Sequence, residues 1–314
     1  MELLEETAHE ILARDDPWAA LVESGLALVG VPEEAGGSGG TPADAAAVLR
    51  AAGHHGAAVP LAETGWLAGR LLAEAGLPVP RGALTAASGE VEAAGRTLSG
   101  TLRRVPWARS ADRLVVLADG VVAVVDPAAA RITEGSNVAG EPRDDVVLPG
   151  VRAEAVAPCA VGPAELRRRG ALARAVQLTG AMGRALELSV RYAGEREQFG
   201  RPVGRFQAVQ QLLAELAGEA TVADVAVRAA VRGPDDPVAV AAAKANASRA
   251  AGTVAAIAHQ VHGALGVTGE HVLRTVTLRL WSWRDEYGNE TEWADELGAS
   301  AAAAPDPWTF LTGP

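Results

Sequence analysis

Three stretches of the sequence carry residue types that could do chemistry. The first runs Trp281-Ser282-Trp283-Arg284-Asp285-Glu286-Tyr287-Gly288-Asn289-Glu290-Thr291-Glu292-Trp293 and holds four of the chain's twelve aromatic residues beside several carboxylates. Aromatic walls next to an acid suit a flat cofactor or an acyl chain, with burial shifting the acid toward a proton-transfer role. A packing seam of tryptophans with solvated acids accounts for the same residues. The second, residues 165–205, has nine arginines, four glutamates and no aspartate, a local +5 in a chain of net charge −11. Arginines gathered near a helix end match a pyrophosphate or CoA phosphate through bidentate charged hydrogen bonds. A solvated helix face has the same composition. The third, His262-Gly263-Ala264-Leu265-Gly266, is a glycine-punctuated break. Small residues let backbone approach a ligand closely, and an inter-helix turn uses them equally well. His54, His55 and His271 lack metal-ligand spacing, and the lone Cys159 supports no zinc site. P-loop and GxGxxG fingerprints are absent, which leaves a Rossmann reading nothing to stand on.

The elements that must position these residues follow from periodicity. Residues 1–78 read as helices with short loops: Leu3, Leu4, Ala8, Ile11 and Leu12 keep helical spacing. The glycines of 36–40 break the pattern, and Thr41-Pro42 starts a new helix with Thr41 as N-cap. One more helix is predicted over Glu63 to Ala75. Residues 79–160 change period. Arg113 to Ala118 and Val121 to Val125 are β-branched runs around Asp119-Gly120, a strong hairpin signal, and Val146-Val147-Leu148 reads as a strand ended by Pro149-Gly150. The result is a small, mostly antiparallel β domain. Residues 161–304 return to helix, with long helices near 165–196, 206–231 and 238–262 and a fourth beginning after Gly269. The tail, 305–314, is expected to be loose, as is the Ala/Pro-rich run from Ala301.

Composition sets outer limits. With 314 residues, 49% of them hydrophobic, the chain builds a sizeable core and excludes disorder for most of its length. Its acidity argues against a general grip on nucleic acid. One cysteine excludes a disulfide-stapled secreted module and fits a reducing, cytoplasmic setting. The acidic start lacks a signal peptide's features, and no apolar run reaches the length of a membrane span. The single lysine, Lys244, against 27 arginines reads as base composition.

The segment Tyr192-Ala193-Gly194-Glu195-Arg196-Glu197-Gln198-Phe199-Gly200-Arg201-Pro202-Val203-Gly204-Arg205-Phe206-Gln207 resembles the R-x-x-F-G-x-x-[IVL]-x-x-[FH]-Q motif of the acyl-CoA dehydrogenase family. His259-Gln260-Val261-His262-Gly263-Ala264-Leu265-Gly266-Val267-Thr268 resembles the family's Q-x-x-G-G-x-G-[FY] segment, with Ala264 for a glycine and Val267 for an aromatic. Gly25-Leu26 through Val31-Pro32-Glu33-Glu34-Ala35-Gly36-Gly37 resembles its V-P-E-E-Y-G-G loop. The three fall in order over nearly the whole chain. They imply an α+β, mainly α fold: an N-terminal helical domain, a small middle β domain and a C-terminal four-helix bundle. The chain resembles a short, actinobacterial-type or heteromeric-subunit-like member.

By this resemblance FAD lies between subunits. Arg196 would bind its pyrophosphate, Phe199 and Gln207 would line the flavin, and Gln260, His262, Gly263 and Ala264 would meet the adenosine diphosphate part. The implied reaction is α,β-dehydrogenation of an acyl thioester on CoA or an acyl-carrier protein. A carboxylate takes the α-proton, hydride passes to flavin N5, and electrons leave to an electron-transfer flavoprotein. The family's base loop, Tyr-Glu-Gly-Thr, reads here Glu286-Tyr287-Gly288-Asn289-Glu290, so Glu286 is the expected base, with Glu290 second. The alternative family position falls near Gly170, where no acid stands. Where the family has T-E-P-x-A-G-S-D, this chain has Gly82 to Gly89, in which Thr85 and Ser88 are candidate hydroxyls. The expected assembly is a homodimer or homotetramer, or a heterotetramer with a longer homologue. Two further readings stay open: a non-catalytic or flavin-sharing partner subunit, and a non-redox interaction protein that keeps the fold.

Overall fold

The computed structural model describes residues 2–267 and 271–312. Thr268 and Gly269, used above to end a motif and to start a helix, lie outside the described residues. Packing divides the chain into two compact units, Met1–Ala52 with Ala57–Ala173, and Gly53–Gly56 with Arg174–Pro314.

The first unit opens with α1 (Glu2–Leu12), α2 (Trp18–Glu23) and α3 (Pro42–His55). The Thr41 hydroxyl donates to Asp44 Oδ2 at 2.6 Å and accepts from the Asp44 amide at 3.2 Å, closing the predicted N-cap reciprocally. The helix predicted from Glu63 is π-helical over Ala62–Gly69 before α4 (Arg70–Glu74). Here Gly65 sits against backbone: a Cβ would stand 2.5 Å from the Ala27 carbonyl oxygen. The Thr64 hydroxyl ties this segment to the sheet, accepting from the Leu84 amide at 3.0 Å.

Eight strands follow: β1 (Leu84–Ser88), β2 (Glu90–Ala94), β3 (Thr97–Pro106), β4 (Arg113–Ala118), β5 (Val121–Val125), β6 (Arg131–Thr133), β7 (Arg143–Arg152) and β8 (Ala155–Pro158). They form two four-stranded sheets, ordered β1-β4-β5-β8 and β2-β3-β7-β6. Every pairing is antiparallel except β1 with β4. Asp119 and Gly120 turn the β4–β5 hairpin with φ of 49° and 75°, the positive pair that a two-residue turn needs. Leu98, Leu102, Leu114, Val116, Val125, Val146 and Leu148 form the shared core. Pro149-Gly150 does not end β7 as expected: the register shifts there by a bulge, and pairing resumes at Val151 opposite Leu98.

α5 (Pro163–Glu195) begins in the first unit and continues in the second. The second unit then holds the short ribbon β9 (Glu197–Gln198) and β10 (Arg201–Pro202), α6 (Gln207–Arg232), α7 (Pro237–His262), α8 (Val272–Trp283), α9 (Glu290–Ala303) and α10 (Pro307–Thr312). Asp236 caps α7, accepting from the Val238 and Ala239 amides with Pro237 in the first turn. α7 packs along α6 and against α8 and α9, and its buried residues are mostly alanine and valine. Small side chains let helices approach closely. The run from Ala301 is not loose. It contains the end of α9 and the helix α10, which starts where Asp306 accepts from the Trp308 amide at 3.0 Å.

Candidate active site

The second unit gathers the sequence-predicted residues at two poles, both built on α7. Lys244 and His262 mark them, about five turns or about 27 Å apart along the helix.

At the first pole a turn, residues 284–289, joins α8 to α9. Tyr287 takes a φ of +57°, next to Gly288 at +101°. Glu286 meets Arg174 of α5, Oε2 to Nε at 2.6 Å, with the side chains 11% and 3% exposed. Arg174 also donates to Gln177 Oε1 at 2.6 Å, and its guanidinium lies 5.9 Å from the Tyr287 ring centroid. Arg284 pairs with Glu290 Oε1 and stacks over Trp281 at 5.1 Å. Burial alone would raise the Glu290 carboxyl. Burial is the largest single influence, but the hydrogen bond to Arg284, a backbone hydrogen bond and the charges of Arg284 and Lys244 together outweigh it, so the group is held below the usual carboxylate range. That is opposite to the shift expected of an acid among aromatics. Glu290 Oε2 is buried and makes no hydrogen bond among the described residues. Asn289 caps α9 in a reciprocal box with Glu292.

Beneath the turn lies a group that the sequence reading missed. Lys244 is fully buried, and its ammonium donates to Ser248 Oγ at 2.8 Å, to the Trp283 carbonyl at 3.3 Å and to the Arg284 carbonyl at 2.7 Å. The Ser248 hydroxyl donates to the same Arg284 carbonyl at 2.9 Å. Gly252, two turns after Lys244, leaves room for Arg284, whose Nη1 lies 2.6 Å from where a Cβ would stand. Lys244, Ser248 and Gly252 recur every four residues, hence on one face of α7. A lone lysine at that spacing in an alanine-rich helix was the available signal.

The tryptophans divide by role. Trp283 and Trp293 are core residues, and Trp293 Nε1 donates to the Tyr287 carbonyl at 3.0 Å. Trp281 is partly exposed under Arg284. The arginine-rich stretch divides as well. Arg168 and Arg169 pair with Glu165, Arg169 with Glu74, Arg174 with Glu286 and Arg184 with Glu187. Arg191, Arg196, Arg201 and Arg205 are exposed, all at the C-terminal end of α5 and the β9–β10 ribbon. Internal carboxylates thus occupy much of the charge first assigned to a phosphate. Thr85, a candidate hydroxyl, is fully buried and donates to the Pro106 carbonyl at 2.7 Å.

At the second pole Arg196 ends α5 on the surface, its carbonyl accepting from the Val203 amide at 2.8 Å. Phe199 and Gly200 turn the ribbon with φ of 51° and 75°. The glycine takes a left-handed conformation without strain, whereas Phe199 is held there by the ribbon. The Phe199 ring is 91% exposed, edge-on to Phe206 at 6.1 Å, and Arg201 stacks over Phe206 at 4.3 Å. Gln207, at the start of α6, is exposed. Tyr192, one turn before Arg196, stacks on His262 with centroids 4.5 Å apart. The two motif segments therefore converge at one end of the unit. His262 is buried, Nδ1 lying 2.8 Å from the Ala258 carbonyl, and burial pushes its imidazole below the usual range. Its buried Nε2 makes no hydrogen bond among the described residues. Gln260, Gly263 and Ala264 are exposed beside it, with Gly263 at φ 60° and ψ −147°, a glycine-only region. Exposed guanidinium groups, an exposed aromatic ring, amides and an orphaned buried nitrogen fit a flat ring joined to a pyrophosphate. They fit FAD on chemical grounds.

Residues 168–282 match the sequence profile of the acyl-CoA dehydrogenase C-terminal domain. The acyl-CoA dehydrogenase IpdE2 of Mycobacterium tuberculosis is 33% identical over 265 residues, 81% of this chain and 76% of that one. The acyl-CoA dehydrogenase FadE28 of the same organism is 34% identical over 236 residues, 67% of this chain and 69% of that one. One chain of the ChsE4–ChsE5 complex from M. tuberculosis superposes with a TM-score of 0.87 at 27% identity, covering 97% of each chain. This chain belongs to the acyl-CoA dehydrogenase family. No helix among the described residues is long and apolar enough to cross a membrane.

Proposed function

We propose that the chain is a flavin-dependent subunit acting in the α,β-dehydrogenation of an acyl thioester. The observation that carries this reading is the second pole, where Tyr192 stacks on His262 and so brings the segment with exposed Arg196, Phe199 and Gln207 to the end of α7 that carries exposed Gln260. Arg196 would hold the FAD pyrophosphate, Phe199 and Gln207 the flavin side, and Gln260, His262, Gly263 and Ala264 the adenosine diphosphate. When bound, FAD would supply a two-electron acceptor for the substrate hydride. The distance between the poles favours a cofactor placed between chains, as the family resemblance implies.

At the first pole Glu286 is the proposed acceptor of the α-proton, with Glu290 second. An α-proton beside a thioester is a poor acid, so the base must be placed within hydrogen-bond reach and left able to accept. Glu286 is engaged by Arg174 through Oε2, whereas Glu290 Oε2 has no hydrogen-bond partner among the described residues. An absorption spectrum of the purified protein, before and after anaerobic addition of an acyl-CoA panel, tests this reading. A flavin band that bleaches with one substrate class is the expected result. Arg196→Ala should lose the bound flavin, and full occupancy in that variant would count against the assignment. Glu286→Gln should keep flavin and abolish bleaching. Bleaching that survives there but fails in Glu290→Gln moves the base by one turn.

A second reading is favoured by the Glu286–Arg174 pair and the engaged Thr85 hydroxyl: a partner subunit whose base belongs to another chain. The relative found in the ChsE4–ChsE5 complex points the same way. Lack of activity alone, with activity after co-expression with a longer homologue, would support it. A protein that never binds flavin, alone or with such a homologue, would instead indicate a non-redox interaction protein. The proposed electron acceptor is an electron-transfer flavoprotein and the proposed setting cytoplasmic.

A further inference from the structure

We propose that Lys244 is the positioning residue of the acid turn: its buried ammonium fastens the C-terminal end of α8 and so sets where Glu286 and Glu290 stand. The inference rests on the reading above that this turn carries the base.

The geometry suits the charged form. All three partners of Nζ act as acceptors, namely the Trp283 carbonyl, the Arg284 carbonyl and Ser248 Oγ, whose own proton goes to Arg284. An ammonium donates to all three, whereas a neutral amine could donate only to the two carbonyls and would have to accept from Ser248 instead. The carbonyls of residues 283 and 284 are among those a helix end leaves without intrahelical partners, and a cation there also meets the negative end of the helix dipole. The next residues in the chain are Asp285 and Glu286, so an anchor at 284 sets their direction directly.

The charged groups around Lys244 come from the turn, from α9 and from α5. Glu286 and Asp285 of the turn and Glu290 of α9 favour the ammonium, and Arg174 of α5 opposes it. Burial is the largest influence and pushes the group down to about 7. Four acidic and basic side chains thus sit about one ammonium that no solvent reaches, under the turn where the proposed proton transfer occurs. A lysine that only filled space would not need two of its donors aimed at one helix end.

The chain's single lysine makes the test direct. With ¹⁵N-lysine, Nζ should give one side-chain cross-peak protected from solvent exchange. With ¹⁵N-tryptophan, the Trp293 indole, which donates to the Tyr287 carbonyl, reports the turn. Lys244→Met, and Lys244→Gln should Met not fold, should shift that indole peak while leaving the indole of Trp66, in the other unit, in place. Flavin bleaching in the variant should slow roughly a hundredfold at saturating substrate, as misplacement by about an ångström predicts. The half-saturating concentration should stay the same. An exposed, rapidly exchanging Nζ, an unmoved Trp293 peak or an unchanged bleaching rate would each overturn the proposal. If the wild-type protein never bleaches, the function reading fails, and the two resonance measurements still decide whether Lys244 holds the turn.

Discussion

Gly252 shows how a single atom can govern a carboxylate two elements away. A methyl group at this position would stand 2.6 Å from Arg284 Nη1, and the guanidinium is already pinned between the Trp281 ring and Glu290. Gly252→Ala should displace Arg284 and release Glu290. The Glu290 carboxyl, observed by ¹³C resonance, should then titrate higher than in the wild type; an unchanged titration would mean that Arg284 yields without leaving Glu290. Lys244 makes a second prediction at this scale. The folded protein releases its proton at about 7, whereas an unfolded lysine does so near 10.4. Between these values the unfolded chain binds more protons, so stability from this group rises with pH through that window and is flat below it. The wild-type minus Lys244→Met difference in unfolding free energy should therefore shift toward the wild type from pH 7 to 10. A difference independent of pH would mean that the lysine is not desolvated.

The elements depend on their caps as much as on their apolar faces. α9 starts at a reciprocal box in which the Asn289 side chain accepts from the Thr291 and Glu292 amides and Glu292 returns to the Asn289 amide. Asn289→Ala should cost about 1 kcal/mol, measured as a lower urea midpoint with unchanged slope, and Asn289→Asp should cost much less. Equal losses in both would show that the side-chain hydrogen bonds are not the source. The cap at Thr41-Pro42 was readable in advance, because local hydrogen bonds follow local sequence. The π-helical turn at Ala62–Gly69 and the bulge at Gly150 were not, because each answers to a neighbour distant in sequence: the Ala27 backbone in one case and the β3 register in the other.

At the scale of the whole molecule, the exposed Phe199 and the arginines around it leave one end of the second unit chemically unfinished. A cofactor and a second chain would cover it. Native mass measurement after co-expression with a longer homologue should find a complex holding flavin, and Phe199→Ser should weaken both assembly and flavin retention. A monomer that keeps flavin despite this substitution would place the cofactor elsewhere.

The order of helices, strands and helices, the ends of the three long helices, the β4–β5 hairpin and the two motif segments were all legible from periodicity, turn chemistry and motif spacing. These signals are local, and each residue carries its own share of them. The fate of charge was not legible. Arg174 counted as one of nine arginines until the fold set it against Glu286, and Thr85 as a spare hydroxyl until the sheet engaged it. Lys244 counted as an accident of composition until α8 ended above it. Pairing energies depend on distance and on the water excluded between partners, and only the tertiary structure sets either one.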